Sequence, residues 1–163
     1  MRRALSSPRS WPLAALLVLG PCLAQEAATH EPVALDALFA QYDEATRDEE
    51  PGVTLVQPRH LRFAATLVAA PEACNTQALQ AILDELQLHD FLDKAPAGHC
   101  IRLKSEKGRD LTAWVQDVLV PALQSEVKAG AAIDIQADFL AYGVGHDRER
   151  NMPLMLVSGF EPQ

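Results

Sequence analysis

Cations are few in this chain: 14 Lys and Arg stand against 22 Asp and Glu, a formal charge of −8 over 163 residues. Binding of nucleic acid depends on clustered Lys and Arg that neutralise phosphates, so that role is disfavoured, and an anionic membrane surface is disfavoured for the same reason. Cysteine is scarce as well, with three in the chain, and none forms a CxxC pair. The five histidines contain no i, i+4 pair, so the patterns by which zinc sites are usually recognised are missing. Ser105, Ser125 and Ser158 have no G-x-S-x-G context. Low-complexity stretches are few and the apolar fraction is 48%, which excludes intrinsic disorder for the body of the chain.

The start of the chain reads as an export signal. Arg2, Arg3 and Arg9 precede a short apolar run at residues 11–19, and Cys22, Leu23 and Ala24 end in small residues where cleavage is usual. That run falls below the roughly 20 residues a membrane-crossing helix needs. A lipid-modified Cys22 is the competing reading, and Pro21 before it argues against that. Residues 1–24 are therefore expected to be a signal peptide, and the protein to be exported, periplasmic or extracellular, with no stable membrane insertion after cleavage. The signal carries three arginines and no acids, so its removal takes the charge from −8 to −11 over 139 remaining residues, the length of one domain. Cys74 and Cys100 remain, and in an oxidising compartment they most simply form one disulfide.

Residues 25–32 are small, polar and end in proline, which predicts a flexible leader before a single α+β domain at 33–163. Leu35, Leu38, Phe39 and Tyr42 fall at i, i+3, i+4 and i+7 and predict a helix to about Arg47, then a loop at residues 48–52. A strand is expected over 61–68, stopped by Pro71, and a helix over 76–92 with Leu79, Ile82, Leu83 and Leu86 on one face. Cys74 and Cys100 flank that helix, so their bridge would clamp it. Alternation at 101–104 and 111–116 around a polar turn predicts a hairpin, and 118–127 a short helix ended by Gly130. Ile133, Ile135, Ala137, Phe139 and Ala141 give the cleanest period of two, and Leu154, Leu156, Ser158 and Phe160 are expected to face inward on the last strand, opposite Met155 and Val157.

The hairpin at 101–116, the helix at 118–127, the turn at Gly130 and the closing hairpin at 133–160 follow one another in an order that resembles the OB-fold, in element order only. The resemblance covers roughly the last hundred residues and implies a five-stranded, mainly antiparallel barrel with a helix between its third and fourth strands. The helix at 76–92 departs from it as an insertion. The expected architecture is thus α+β, an OB-like barrel or an open sheet of five strands, with an inserted disulfide-clamped helix and an N-terminal helix.

No catalytic residue, cofactor or metal is implied by any motif. Asp84 with Glu85 and Asp134 with Asp138 sit on polar faces where solvation explains them. His89 and His99 both lie inside the loop closed by the cysteines, and solvated loop histidines are the plainer reading. Two contact regions stand out. Trp114 points opposite to Leu111, Ala113 and Val115, so it either packs under a cover or, with Arg102 and Lys104, forms a binding face; strand faces of OB-like barrels commonly bind polymers. The tip of the closing hairpin carries His146, Arg148 and Arg150, potential hooks for a carboxylate or phosphate. The expected function is a non-enzymatic binding or interaction module of the cell envelope or extracellular space, with an envelope protein or glycan as partner. The alternatives are a small secreted hydrolase using carboxylates, and a structural protein that associates through an exposed sheet edge.

Overall fold

The computed structural model describes residues 29–146 and 151–163. The expected signal peptide and the first four residues of the expected leader lie outside them. The chain is mixed α and β, with a six-stranded sheet and few helices. The elements are β1 (Glu31–Pro32), α1 (Leu35–Ala45), β2 (Gly52–Ala73), α2 (Gln77–Glu85), α3 (Phe91–Lys94), β3 (His99–Lys104), β4 (Asp110–Val115), a single 3-10 turn leading into α4 (Val120–Glu126), β5 (Ala132–Val144) and β6 (Met152–Pro162).

The sheet has six strands where five were expected. The extra one, β1, occupies two residues of the expected leader and lies parallel to Leu61 and Arg62 of β2. The first helix is consequently not the first element, and it ends at Ala45, short of Arg47. Strand β2 is 22 residues long rather than eight. It runs through both of its prolines because each falls where the ladder slips: Pro58 lies in the shift between Leu55 and Arg59 against β5, and Pro71 in the shift between Ala69 and Glu72 against β3. At such irregularities a missing N–H costs no ladder bond. The helix expected over 76–92 is broken in two, since Gln87 adopts φ 61° directly after α2. This left-handed residue stops the helix as a glycine more often does.

Strand β2 pairs antiparallel with both β3 and β5, β3 with β4, and β5 with β6, while β4 and β6 meet in parallel at Trp114 and Leu156. Hydrogen-bonded neighbours therefore run β2–β3–β4–β6–β5 and return to β2. The main core inside this circuit takes Leu61, Phe63 and Leu67 from β2, Ile101 and Leu103 from β3, Leu111, Ala113 and Val115 from β4, and Ile133, Ile135, Ala137 and Phe139 from β5. Helix α1 adds Leu35, Leu38 and Phe39, and α4 adds Val120 and Leu123.

On β6 the inward residues are Met155 and Val157, with Phe160 packed against them, whereas Leu154 and Leu156 belong to a second cluster. The expected phase is wrong for the middle of the strand because Ser158 is skipped in the pairing of Gln136 and Ala137 with Gly159 and Val157. One extra residue turns every side chain beyond it to the other face. A second slip at Leu140 does the same on β5, so that Phe139 and Tyr142 both reach the main core.

Gly130 closes the approach to β5 at φ +85°, where its N–H donates to the Leu67 carbonyl at 2.7 Å. A side chain at this backbone angle is strained, so Gly130→Ala is expected to destabilise the fold by about 1 kcal/mol, read as a fall of a few degrees in melting temperature.

Candidate functional site

Side chains on the outside of the sheet meet two different fates. Over one part, α2 lays Leu79, Ile82 and Leu83 onto Trp114, Leu140, Ala141 and Leu156, forming a second core. The cover is anchored covalently: Cys74, just before α2, is bonded to Cys100 on β3, with 5.7 Å between their α-carbons. Cys100 is also the cross-strand partner of Trp114, so the bridge sits directly beside the indole. Trp114 retains 8% of its surface exposed, and its Nε1–H donates to the Asn75 carbonyl at 3.3 Å. It is thus removed from the expected binding face. Of the two positions open to it, the one beneath a helix is taken, because the outward direction at residue 114 is where α2 lands.

Arg102 and Lys104 remain exposed on the uncovered part. Strand pairing places Arg102 between Thr112 on β4 and Ala69 on β2, and Lys104 between Asp110 and Thr66. The floor around the two cations is therefore built of short side chains, apart from Asp110. Lys104 approaches Asp110 at 3.7 Å, a surface contact of small worth. Arg102 has no ion pair among the described residues. The turn joining these strands is held firmly. Asp36 of α1 accepts from the Ser105 hydroxyl at 2.6 Å and from the Lys107 N–H at 3.0 Å, and Ser105 in turn accepts from the Arg109 N–H at 3.1 Å.

Sequence reasoning overlooked a polar node centred on Asp43. Its carboxylate accepts from Arg109 Nη1 at 2.5 Å, from the Tyr142 hydroxyl at 2.8 Å and from Asn151 Nδ2 at 3.3 Å. Arg109 also donates to the Asn151 carbonyl at 2.9 Å, and its guanidinium lies 3.9 Å from the centre of the Phe39 ring. Burial pushes the Tyr142 phenol well above its ordinary range, and the Asp43 carboxylate adds to the shift as acceptor and as a neighbouring charge. Every member has its partners, and none is a nucleophile beside a free base. The node ties α1 to β5 and to the residues that lead into β4 and β6.

Asp84, Asp134, Asp138, His89 and His99 are each engaged with a partner. Asp134 accepts from Arg62 at 3.0 Å and from Gln163 at 2.9 Å, and Asp138 contacts His60 Nδ1 at 2.5 Å. Asp84 is held below the ordinary carboxylate range, first by a hydrogen bond from Gln80 and then by His89, the reverse of what a general acid needs. His99 contacts Asp117 at 2.7 Å, and Asp117 also accepts from the Gly98 N–H at 2.8 Å. Among the described residues no three His, Cys, Asp or Glu side chains are grouped to hold a metal ion. No helix among them is long and apolar enough to cross a membrane. His146 is exposed at the end of the described part of the β5–β6 connection, and Arg148 and Arg150 lie outside the described residues.

No protein-family model matches this chain, and no curated protein matches it in sequence.

Proposed function

We propose that this chain is an exported, single-domain binding module with an OB-like barrel, and that it holds an anionic stretch of an envelope or extracellular protein or glycan on the outer face of β2, β3 and β4. The OB-like reading rests on the cyclic order β2–β3–β4–β6–β5, with α4 between β4 and β5, the third and fourth of these strands in chain order. Export rests on the expected signal and agrees with the Cys74–Cys100 bridge.

One observation carries the binding reading: Arg102, without an ion-pair partner among the described residues, stands with Lys104 on an uncovered strand face of an otherwise acidic protein. Two outward cations on alternate residues of one strand are spaced about 7 Å apart, a spacing suited to successive charges on an extended polymer. The surrounding Thr66, Ala69 and Thr112 leave the floor flat enough for such a chain to lie along it. The pairing of Asp84, Asp134 and Asp138 with basic or amide partners weighs against hydrolysis by carboxylates.

The test is an NMR titration of the mature protein with a polyuronate oligosaccharide and with a poly-glutamate peptide. Shifts centred on Arg102, Lys104 and Thr112 are expected with at least one of them. Arg102→Glu with Lys104→Glu should weaken that binding at least tenfold, while the melting temperature stays within about two degrees because both side chains are exposed. Binding that is indifferent to the double substitution, or shifts confined to other surfaces with both probes, would exclude this face.

A further inference from the structure

We propose that His30 and His60 form a binding site for a divalent cation of the zinc and copper class, with Asp138 positioning the His60 ring. The proposal concerns a different surface from the Arg102 face and does not rest on the reading given to it. Strand β1 runs parallel to β2, with Glu31 opposite Leu61 and Pro32 opposite Arg62. One residue upstream, the same register brings His30 beside His60, and their ring centres lie 5.8 Å apart at an interplanar angle of 68°. On the other side of β2, Asp138 of β5 is the cross-strand partner of His60. Leu61 and Ala137 point into the core, so His60 and Asp138 point outward, and the three side chains form a row across the outside of the sheet.

Each member of the row has a distinct part. Asp138 Oδ1 lies 2.5 Å from His60 Nδ1. With the carboxylate accepting there, the proton sits on Nδ1 and Nε2 keeps its lone pair, the arrangement by which outer carboxylates orient metal-binding histidines. His30 has no hydrogen bond or ion pair among the described residues, so its ring nitrogens are available. A metal–nitrogen bond of about 2.0 to 2.1 Å places two imidazole centres that share one tetrahedral ion roughly 5.2 Å apart. The two rings therefore need to close by only about 0.6 Å to share it.

The surroundings favour a cation. Arg59 is neutralised by Glu31 at 2.8 Å, and Arg62 by Asp134 at 3.0 Å and Glu161 at 2.9 Å, while Asp138 adds a negative charge of its own. Imidazole selects zinc, copper and nickel over calcium and magnesium, which take oxygen ligands. No third His, Cys, Asp or Glu among the described residues completes the set, so the ion's other positions are left to water or to an incoming group. Such an ion is exchangeable rather than structural. His89 and His99 also meet carboxylates, but neither has a second imidazole against it among the described residues.

Titration of the mature protein with zinc chloride, followed by nitrogen NMR of the imidazole rings, tests this. Zinc is expected to shift His30 and His60 Nε2 together while His60 Nδ1 keeps its proton, and calcium chloride should shift neither. His30→Ala and His60→Ala should each weaken zinc binding at least tenfold, since each removes one of two protein ligands. Asp138→Asn should weaken it about tenfold or more, as loss of an outer carboxylate does. Asp134→Asn removes an equal charge about 14 Å along the same strand, beyond the screening length, and should change the affinity less than about twofold. None of the four side chains is buried, so melting temperatures within about two degrees of wild type would show that the variants keep the fold. The absence of a shift at millimolar zinc, an affinity indifferent to His30→Ala, or equal losses from the two aspartate variants would each overturn the proposal.

Discussion

Replacing Cys74 and Cys100 together by alanine is expected to lower the unfolding free energy by about 3.5 kcal/mol and to release α2 from the sheet before the strands melt. The bridge closes a loop of 26 residues, and in the chain-entropy model that constraint on the unfolded state is worth about 3.5 kcal/mol out of a typical ~5 to 15 kcal/mol. The order of events follows from what holds each part. Helix α2 is nine residues long, well under the length at which an isolated helix persists in water, so it depends on docking through Leu79, Ile82 and Leu83 and on the covalent tie beside it. The strands are held by long ladders that make no use of α2. Trp114 is the reporter. The only other tryptophan, Trp11, falls in the expected signal, so the mature protein's tryptophan emission comes from an indole beneath α2. Reduction, or the double substitution, should shift that emission to the red while the far-ultraviolet β signal persists, and hydrogen exchange should accelerate first over 77–94. One cooperative loss of both signals would show that α2 and the strands form a single unit.

What could be read from the chain, and what could not, divides by range. The hairpin of β3 and β4, the onset of β5 and the amphipathic face of α2 rest on local alternation or local spacing, and they lie where the residues place them. Strand β1 has two residues, too few to show any period. The length of β2 was hidden by Pro58 and Pro71, whose usual meaning as strand breakers is cancelled by ladder slips that only pairing with β3 and β5 reveals. The inverted faces of Met155 and Val157 have the same origin, since a bulge at Ser158 leaves no mark in composition. Trp114 was placed on the correct side of its strand, but whether that side meets water depends on where α2 docks. The Asp43 node was out of reach altogether. Its members lie 66, 99 and 108 residues from Asp43 in sequence, and none stands on a periodic face that would single it out.

That node should make Asp43→Ala the most damaging single substitution outside the apolar core. The alanine leaves Arg109 without Oδ2 and the Tyr142 hydroxyl and Asn151 Nδ2 without Oδ1 of the carboxylate they share. Breaking a fully buried ion pair from one side costs roughly 3 to 5 kcal/mol. Here the Arg109 and Asp43 side chains keep 28% and 21% of their surface, so water compensates in part and about 2 to 3 kcal/mol is expected. Asp43→Asn keeps an acceptor for the phenol and should cost about half as much, which separates lost charge from lost hydrogen bonding. Denaturant titration of the two variants is the measurement, and a loss below about 0.5 kcal/mol for the alanine would mean that the node is solvated. The same cluster sets an alkaline limit. Tyr142 is fully buried and its folded pKa is raised, so above about pH 10 the unfolded phenol ionises while the folded one stays neutral. The unfolded state then binds fewer protons, and stability falls as pH rises, by about 1.4 kcal/mol per unit, until the folded pKa is reached. Tyr142→Phe removes this contribution, so the gap between wild type and variant should shrink with pH above 10. A gap that is constant from pH 7 to 11 would show that the phenol titrates alike in both states.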